Sequence, residues 1–148
     1  MRAAVFLDRD GVIIENRDDY VKTLNEVRFL PGAIDALRRL GRSDYAIVLV
    51  TNQSAVGRRI ITLDQATAIN RQVIAEIQTA SGRVDAAYLC PHHPDDGCRC
   101  RKPAPGMFLQ AARELDLDLA GSYAIGDAAS DMEAAGAAGV RGILVLTG

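Results

Sequence analysis

Two aspartates one residue apart, Asp8 and Asp10 in DRDG, follow the apolar run AAVFL, and Gly11 beyond them suits a tight turn. Alone, such a pair is most often two solvated carboxylates in a loop, so its meaning depends on what else the chain offers. TNQS sets the Thr51 hydroxyl and the Asn52 amide behind AIVLV, RKPAPGM brings Arg101 and Lys102 ahead of a helical stretch, and GDAASD sets Asp127 and Asp131 behind YAI. Plainer readings exist for each: turn or cap chemistry for Thr51, Asn52, Asp127 and Asp131, and exposed charge for Arg101 and Lys102. Together, though, carboxylates, a hydroxyl and a lysine are what transfer of a phosphoryl group to a carboxylate requires. A charged phosphoryl group and an anionic nucleophile repel until cations intervene, and Mg²⁺ fits because it takes one or two carboxylates together with phosphate oxygen and water.

A second cluster lies in CPHHPDDGCRCRKP, Cys90 to Pro103, which holds all three cysteines and both histidines of the chain. Cys90 and His92 face Cys98 and Cys100 across a short loop stiffened by Pro91 and Pro94, two soft pairs suited to a tetrahedral Zn²⁺. Four such ligands leave no position for water, which favours a structural ion over a catalytic one, and the His-x-Glu pairing of zinc deaminases is missing. His93 is the weaker ligand, since using it breaks the symmetry of the x-spaced pairs. A Cys-x-Cys redox disulfide is the competing reading of the same residues.

These residues need elements to position them. Short apolar runs recur at Ala3 to Leu7, Ala46 to Val50, Ala86 to Cys90, Tyr123 to Ile125 and Gly142 to Leu146, and their continuous apolar character predicts strands buried on both faces. Helical patterns lie between them. Ile34, Leu37 and Leu40 share a face after Pro31; Thr62 and Gln65 form a capping box ahead of Ala66, Ile69, Val73 and Ile77; Phe108, Leu109, Ala112 and Leu115 give a third face. A fourth, Ala-rich helix runs from about Ser130 to Ala138. Strands alternating with helices predict a single doubly wound α/β domain over residues 1–148, with a parallel sheet whose chemistry gathers beyond the carboxyl ends of its strands.

The chain has 148 residues, a formal net charge of −2 and no internal repeat or Pro/Ser-rich linker. Interspersed charge gives no reason to expect nucleic acid or an anionic membrane as partner, and a basic face to accompany a zinc module is missing. MRAAVFLDRD reaches charged residues too early for a signal peptide or a membrane span, and unpaired cysteines suit a reducing compartment, so a cytoplasmic monomer is expected.

The order DRDG, TN, a lysine before a helix, then GDxxxD resembles the phosphatase branch of the haloacid dehalogenase superfamily over nearly the whole chain. That resemblance implies Asp8 as nucleophile forming an aspartyl phosphate, and Asp10 as the acid that protonates the leaving oxygen and later deprotonates water. It implies Mg²⁺ on the Asp8 carboxylate, the Asp10 carbonyl and Asp127, with Asp131 in support, and phosphoryl oxygens on Thr51 and Lys102. Only GVIIENRDDYVKTLNEVRFL separates the first motif from the first helix, so no separate cap domain is expected. The zinc loop running into Arg-Lys-Pro is similar to two capless groups, one acting on a heptose bisphosphate and the other on histidinol phosphate; TNQS and CRKPAPGM favour the first. A phosphorylated sugar would then meet Arg9, Arg17, Asp18, Asp19, Tyr20, Asn52, Gln53, Ser54 and Arg101. Ala55 and Arg59 stand where members usually have Gly, Ala128 stands where Lys or Ser is common, and the chain stops at Gly148 where members usually run on.

Overall fold

The computed structural model describes residues 1–148. Five parallel strands form one sheet: β1 (Ala4–Leu7), β2 (Ala46–Asn52), β3 (Ala86–Cys90), β4 (Tyr123–Gly126) and β5 (Arg141–Leu144), in the order β3-β2-β1-β4-β5. The chain winds outward from β1 to β3, then crosses back to β4 and β5. Strand order therefore reverses between β1 and β4, and the loops leaving those two strands diverge to open a crevice there.

Alternation along β1 serves two cores. Ala4 and Phe6 face a cluster with Met107, Phe108 and Ala111 of α4 (Gly106–Leu115) and Ala134 and Ala135 of α5 (Ala129–Ala137). Val5 and Leu7 face the other side, with Leu37 of α1 (Ala33–Gly41) and Ile69, Val73 and Ile77 of α3 (Leu63–Thr79). All four β1 residues are buried, as a strand with helices on both faces requires. The cap expected for α3 forms: Thr62 Oγ1 accepts from Gln65 N at 3.1 Å, and Gln65 Oε1 accepts from Thr62 N at 2.7 Å.

Two expectations change. The last apolar run is a strand over Arg141–Leu144 at the edge of the sheet, paired with β4 alone, and all four of its residues are exposed rather than buried on both faces. A one-turn helix, α2 (Ser54–Gly57), follows β2 directly; it is too short for periodicity to reveal. Its Gly57 packs so closely on the His92–His93 backbone that a Cβ would overlap it.

The segment from Gly11 to Leu30 carries one 3₁₀ turn, Leu24–Glu26, and no further layer. It doubles back on itself, Glu15 N donating to Arg28 O at 2.7 Å and Leu30 N to Ile13 O at 3.0 Å. Ile13, Ile14, Val21 and Val27 anchor it in the core beside α1 and α3, which holds its outer residues over the crevice.

Candidate active site

Asp8 is the first residue past β1, and its N–H still donates to Ile125 O of β4 at 3.1 Å, so its carboxylate stands at the point of strand reversal. Lys102 arrives on the connection between β3 and α4. Its Nζ donates to Asp8 Oδ1 at 3.0 Å, Asp131 Oδ1 at 2.5 Å and Val50 O at 3.0 Å, so all three ammonium protons have partners. Asn52 fixes the lysine's main chain with a reciprocal amide pair: Nδ2 donates to Lys102 O at 3.1 Å and Oδ1 accepts from Lys102 N at 3.0 Å. Asn52, expected at the substrate, borders the cavity and braces the lysine as well.

Asp131 joins its two sequence readings. Oδ2 accepts from the N–H groups of Asp127 and Ala128 at 3.2 and 3.1 Å, capping α5, while Oδ1 binds Lys102. Asp8, Asp127 and Asp131 present carboxylate oxygens within 4.8 Å of one another, against a single ammonium. Burial pushes Asp8 up to about 7, a rise that Asp131 reinforces and Lys102 only partly opposes; burial raises Asp127 as well. Lys102 moves upward because Asp8 and Asp131 outweigh its own burial. A compact group of acids with excess negative charge fits a hard divalent cation. Gly11, at φ 88°, lets the turn pass against the Asp127 carboxylate, where a Cβ would collide.

Asp10 leans toward the β2 side. Arg9 Nε and Nη2 donate to its two oxygens at 2.9 and 3.1 Å, and Gln53 Nε2 donates to Oδ2 at 3.2 Å and to Thr51 Oγ1 at 2.7 Å. Arg9, expected at the substrate, is fully buried and is not part of the cavity lining; its guanidinium packs on Asp10 instead. Gln53 is also buried, although it reaches the lining beside Asp10.

The cavity has a volume of about 240 Å³, and Asp8, Asp10, Asp127 and Lys102 are among the residues that line it. Arg17, Tyr20, Ser54 and Arg101 border it as expected, joined by Asn16 and Ser130, which sequence reasoning missed. Asn16 sits in a segment without periodicity, and only the placement of Ser130 inside GDAASD hinted at its neighbourhood. Arg101 Nη1 is buried without a hydrogen-bond partner, an unsatisfied cationic donor on a residue that lines the cavity. Asp18 and Asp19 stay out of the cavity: both are exposed, and Asp19 pairs with Lys22 at 2.9 Å and Arg17 at 3.3 Å.

Behind Arg101 and Lys102 stands the sulfur cluster. Cys90, His92, Cys98 and Cys100 bring their ligand atoms within 4.8 Å of one another. Sγ separations are 2.7 Å for Cys90–Cys100 and 3.7 Å for both Cys90–Cys98 and Cys98–Cys100, and His92 Nδ1 lies 3.1 Å from Cys100 Sγ. A tetrahedral zinc with bonds of about 2.3 Å sets sulfurs about 3.7 Å apart, so the donor set and most of its spacing fit. His93 points elsewhere: its Nδ1 accepts from Asp95 N at 3.0 Å and caps the 3₁₀ turn Pro94–Asp96.

Residues 99–148 match the HAD-hydrolase-like family model. The chain is 44% identical over 144 residues to D-glycero-beta-D-manno-heptose-1,7-bisphosphate 7-phosphatase of Bordetella bronchiseptica, covering 97% of this chain and 80% of that protein. It is 40% identical over 147 residues to the protein of the same name from Pseudomonas aeruginosa, covering 99% and 83%. Among solved structures, D,D-heptose 1,7-bisphosphate phosphatase from B. bronchiseptica, complexed with magnesium and phosphate, superimposes with a TM-score of 0.93 over 100% of this chain and 82% of that one, at 44% identity. The enzyme of that name from Burkholderia thailandensis gives a TM-score of 0.72 at 33% identity, covering 99% and 80%.

Proposed function

The chain belongs to the haloacid dehalogenase-like phosphatases, and from that membership we propose that it hydrolyses the C7 phosphate of D-glycero-D-manno-heptose 1,7-bisphosphate, as a cytoplasmic monomer. Such a step would feed the making of nucleotide-activated heptose for lipopolysaccharide or related glycans. One observation carries the reading: a carboxylate at the reversal of strand order, held 3.0 Å from a buried ammonium, with a second carboxylate two residues on.

Asp8 attacks phosphorus, and the bond from phosphorus to the sugar oxygen breaks as the aspartyl phosphate forms. Asp10 gives its proton to the departing oxygen, then takes one from the water that displaces Asp8; the sum is ester plus water to alcohol plus phosphate. Lys102 and the Thr51 hydroxyl hold phosphoryl oxygens, and backbone N–H groups after Asp8 add to them. The Asp8 and Asp127 carboxylates and the Asp10 carbonyl would hold Mg²⁺, which supplies the positive charge that lets two anions meet. Cys90, His92, Cys98 and Cys100 would hold a structural Zn²⁺.

Arg101, with its unpaired buried Nη1, and Arg17 suit the second anionic end of a bisphosphate. A polar cavity of about 240 Å³, smaller than the roughly 300–1,000 Å³ of drug-sized sites, suits a small phosphate ester. The test is phosphate release in MgCl₂ from heptose 1,7-bisphosphate, histidinol phosphate and nucleotides. Heptose bisphosphate should give the highest kcat/KM, and Asp8→Asn should remove turnover. A higher kcat/KM on histidinol phosphate would reject the substrate, and wild-type turnover by Asp8→Asn would reject the nucleophile.

A further inference from the structure

Arg9 is the largest fully buried side chain of the protein, yet it is a cation in a loop beside a catalytic crevice. Burying a guanidinium is costly, and a buried ion pair is weak ground for stability by itself, so its placement asks for another reason. Successive residues of a strand point to opposite faces, but beyond β1 the chain turns: Arg9 O accepts from the N–H groups of Ile13 and Ile14 at 2.9 and 3.1 Å. That turn folds the Arg9 side chain back onto its own neighbour, where two parallel N–H donors meet both oxygens of Asp10.

The remaining arm is fixed as well. Arg9 Nη1 donates to Asn70 Oδ1 at 2.7 Å, and Asn70 is a buried polar residue on the inward face of α3, among Ile69, Val73 and Ile77. Asp10 itself keeps 23% of its side chain exposed and belongs to a loop, so without the fork several rotamers would be open to it. Proton transfer needs hydrogen-bond reach to the reacting oxygen, and displacement of about 1 Å can cost on the order of 100-fold in rate. A helix that packs on the core thus reaches the acid–base carboxylate through one rigid guanidinium.

We propose that Arg9, held by Asn70, is a positioning residue that sets the Asp10 carboxylate for proton transfer, an inference that rests on the acid–base role of Asp10. Lysine could supply charge at that place but not the planar fork that fixes both oxygens.

The full chain in MgCl₂ can be tested as wild type, Asn70→Ala, Arg9→Lys and Asp10→Asn, with heptose 1,7-bisphosphate and p-nitrophenyl phosphate. Nitrophenolate departs without a proton, whereas a sugar oxygen needs one; water attack on the aspartyl phosphate needs the base with either ester. Asn70→Ala and Arg9→Lys should lower kcat on the sugar phosphate by about 10-fold or more, with KM within about twofold. Rapid mixing with the aryl ester should release a burst of about one nitrophenolate per chain, followed by slow turnover, because the phosphoenzyme forms and then waits for its base. Equal losses on both esters without a burst would mark a merely structural role and overturn the proposal, as would unchanged kinetics. Should Arg9→Lys fail to fold by circular dichroism, Asn70→Ala decides alone. Wild-type turnover by Asp10→Asn would instead remove the premise, a result separable from the other two.

Discussion

Asp8 has to act as an anion in a place that disfavours anions. Burial raises it to about 7, so between about pH 4 and pH 7 the folded, metal-free chain keeps a proton that the unfolded chain has released. More protons bound to the folded state means that this group's contribution to stability falls as pH rises through that window. A divalent cation competes with the same proton, so its binding strengthens as pH rises. The increase in Tm on adding MgCl₂ should therefore grow from pH 5 to pH 8, and Asp8→Asn should flatten that dependence. A shift independent of pH in the wild-type protein would contradict the competition. The lysine does not share this sensitivity, since three acceptors keep its ammonium in place.

At the scale of elements, the decisive piece is the connection from β3 to α4, which delivers Arg101 and Lys102 to the crevice. It is held at both ends: Cys90 closes β3 inside the core, and Gly106 opens α4 with its N–H donating to Arg99 O at 2.9 Å. Between them the loop has little apolar burial, so a metal bond is the natural stiffener. Burial works to raise the Cys98 thiol, but hydrogen bonds from the Arg101 backbone N–H and from Cys90 and Cys100 together outweigh it and lower the thiol to about 7, while burial raises Cys90; zinc would bind both as thiolates. Protein purified without chelator should contain about one zinc per chain by elemental analysis. Stripping it should lower kcat by roughly 10–100-fold, because the loop that aims Lys102 loosens even though zinc does no chemistry. Zinc-free protein with native circular dichroism and full kcat would refute the link.

For the molecule as a whole, the crevice depends on two helical layers clamping one sheet. Phe6 of β1 packs on Phe108 of α4 with ring centroids 4.7 Å apart, two residues before Asp8, so the core begins where the site ends. Phe108→Ala should cost about 3–5 kcal/mol in denaturant unfolding, through lost burial and the cavity left behind. The folded fraction should keep its KM, because no catalytic group touches that ring. A loss below about 1 kcal/mol would mean that the layer is not packed as described.

The sequence by itself determined the strands β1 to β4, the α3 cap, the acids of DRDG and GDAASD, and the grouping of cysteines with His92. These are local or repeat at short range: apolar runs, a three-residue capping box and motifs spanning five residues or so. It placed Arg9, Asp18 and Asp19 at the cavity, whose lining leaves them out, because residue type and nearness to a motif do not say which way a side chain turns once the chain leaves a strand. Asn70 left a trace, a polar residue beside Ile69 on an otherwise apolar face, but its partner lies 61 positions away. Tertiary structure alone decided strand order, and with it the meeting of β1 and β4 ends; it also decided that β5 is exposed and that one guanidinium packs on Asp10. Such pairings depend on which distant surfaces exclude water together, and no local pattern in a chain encodes that.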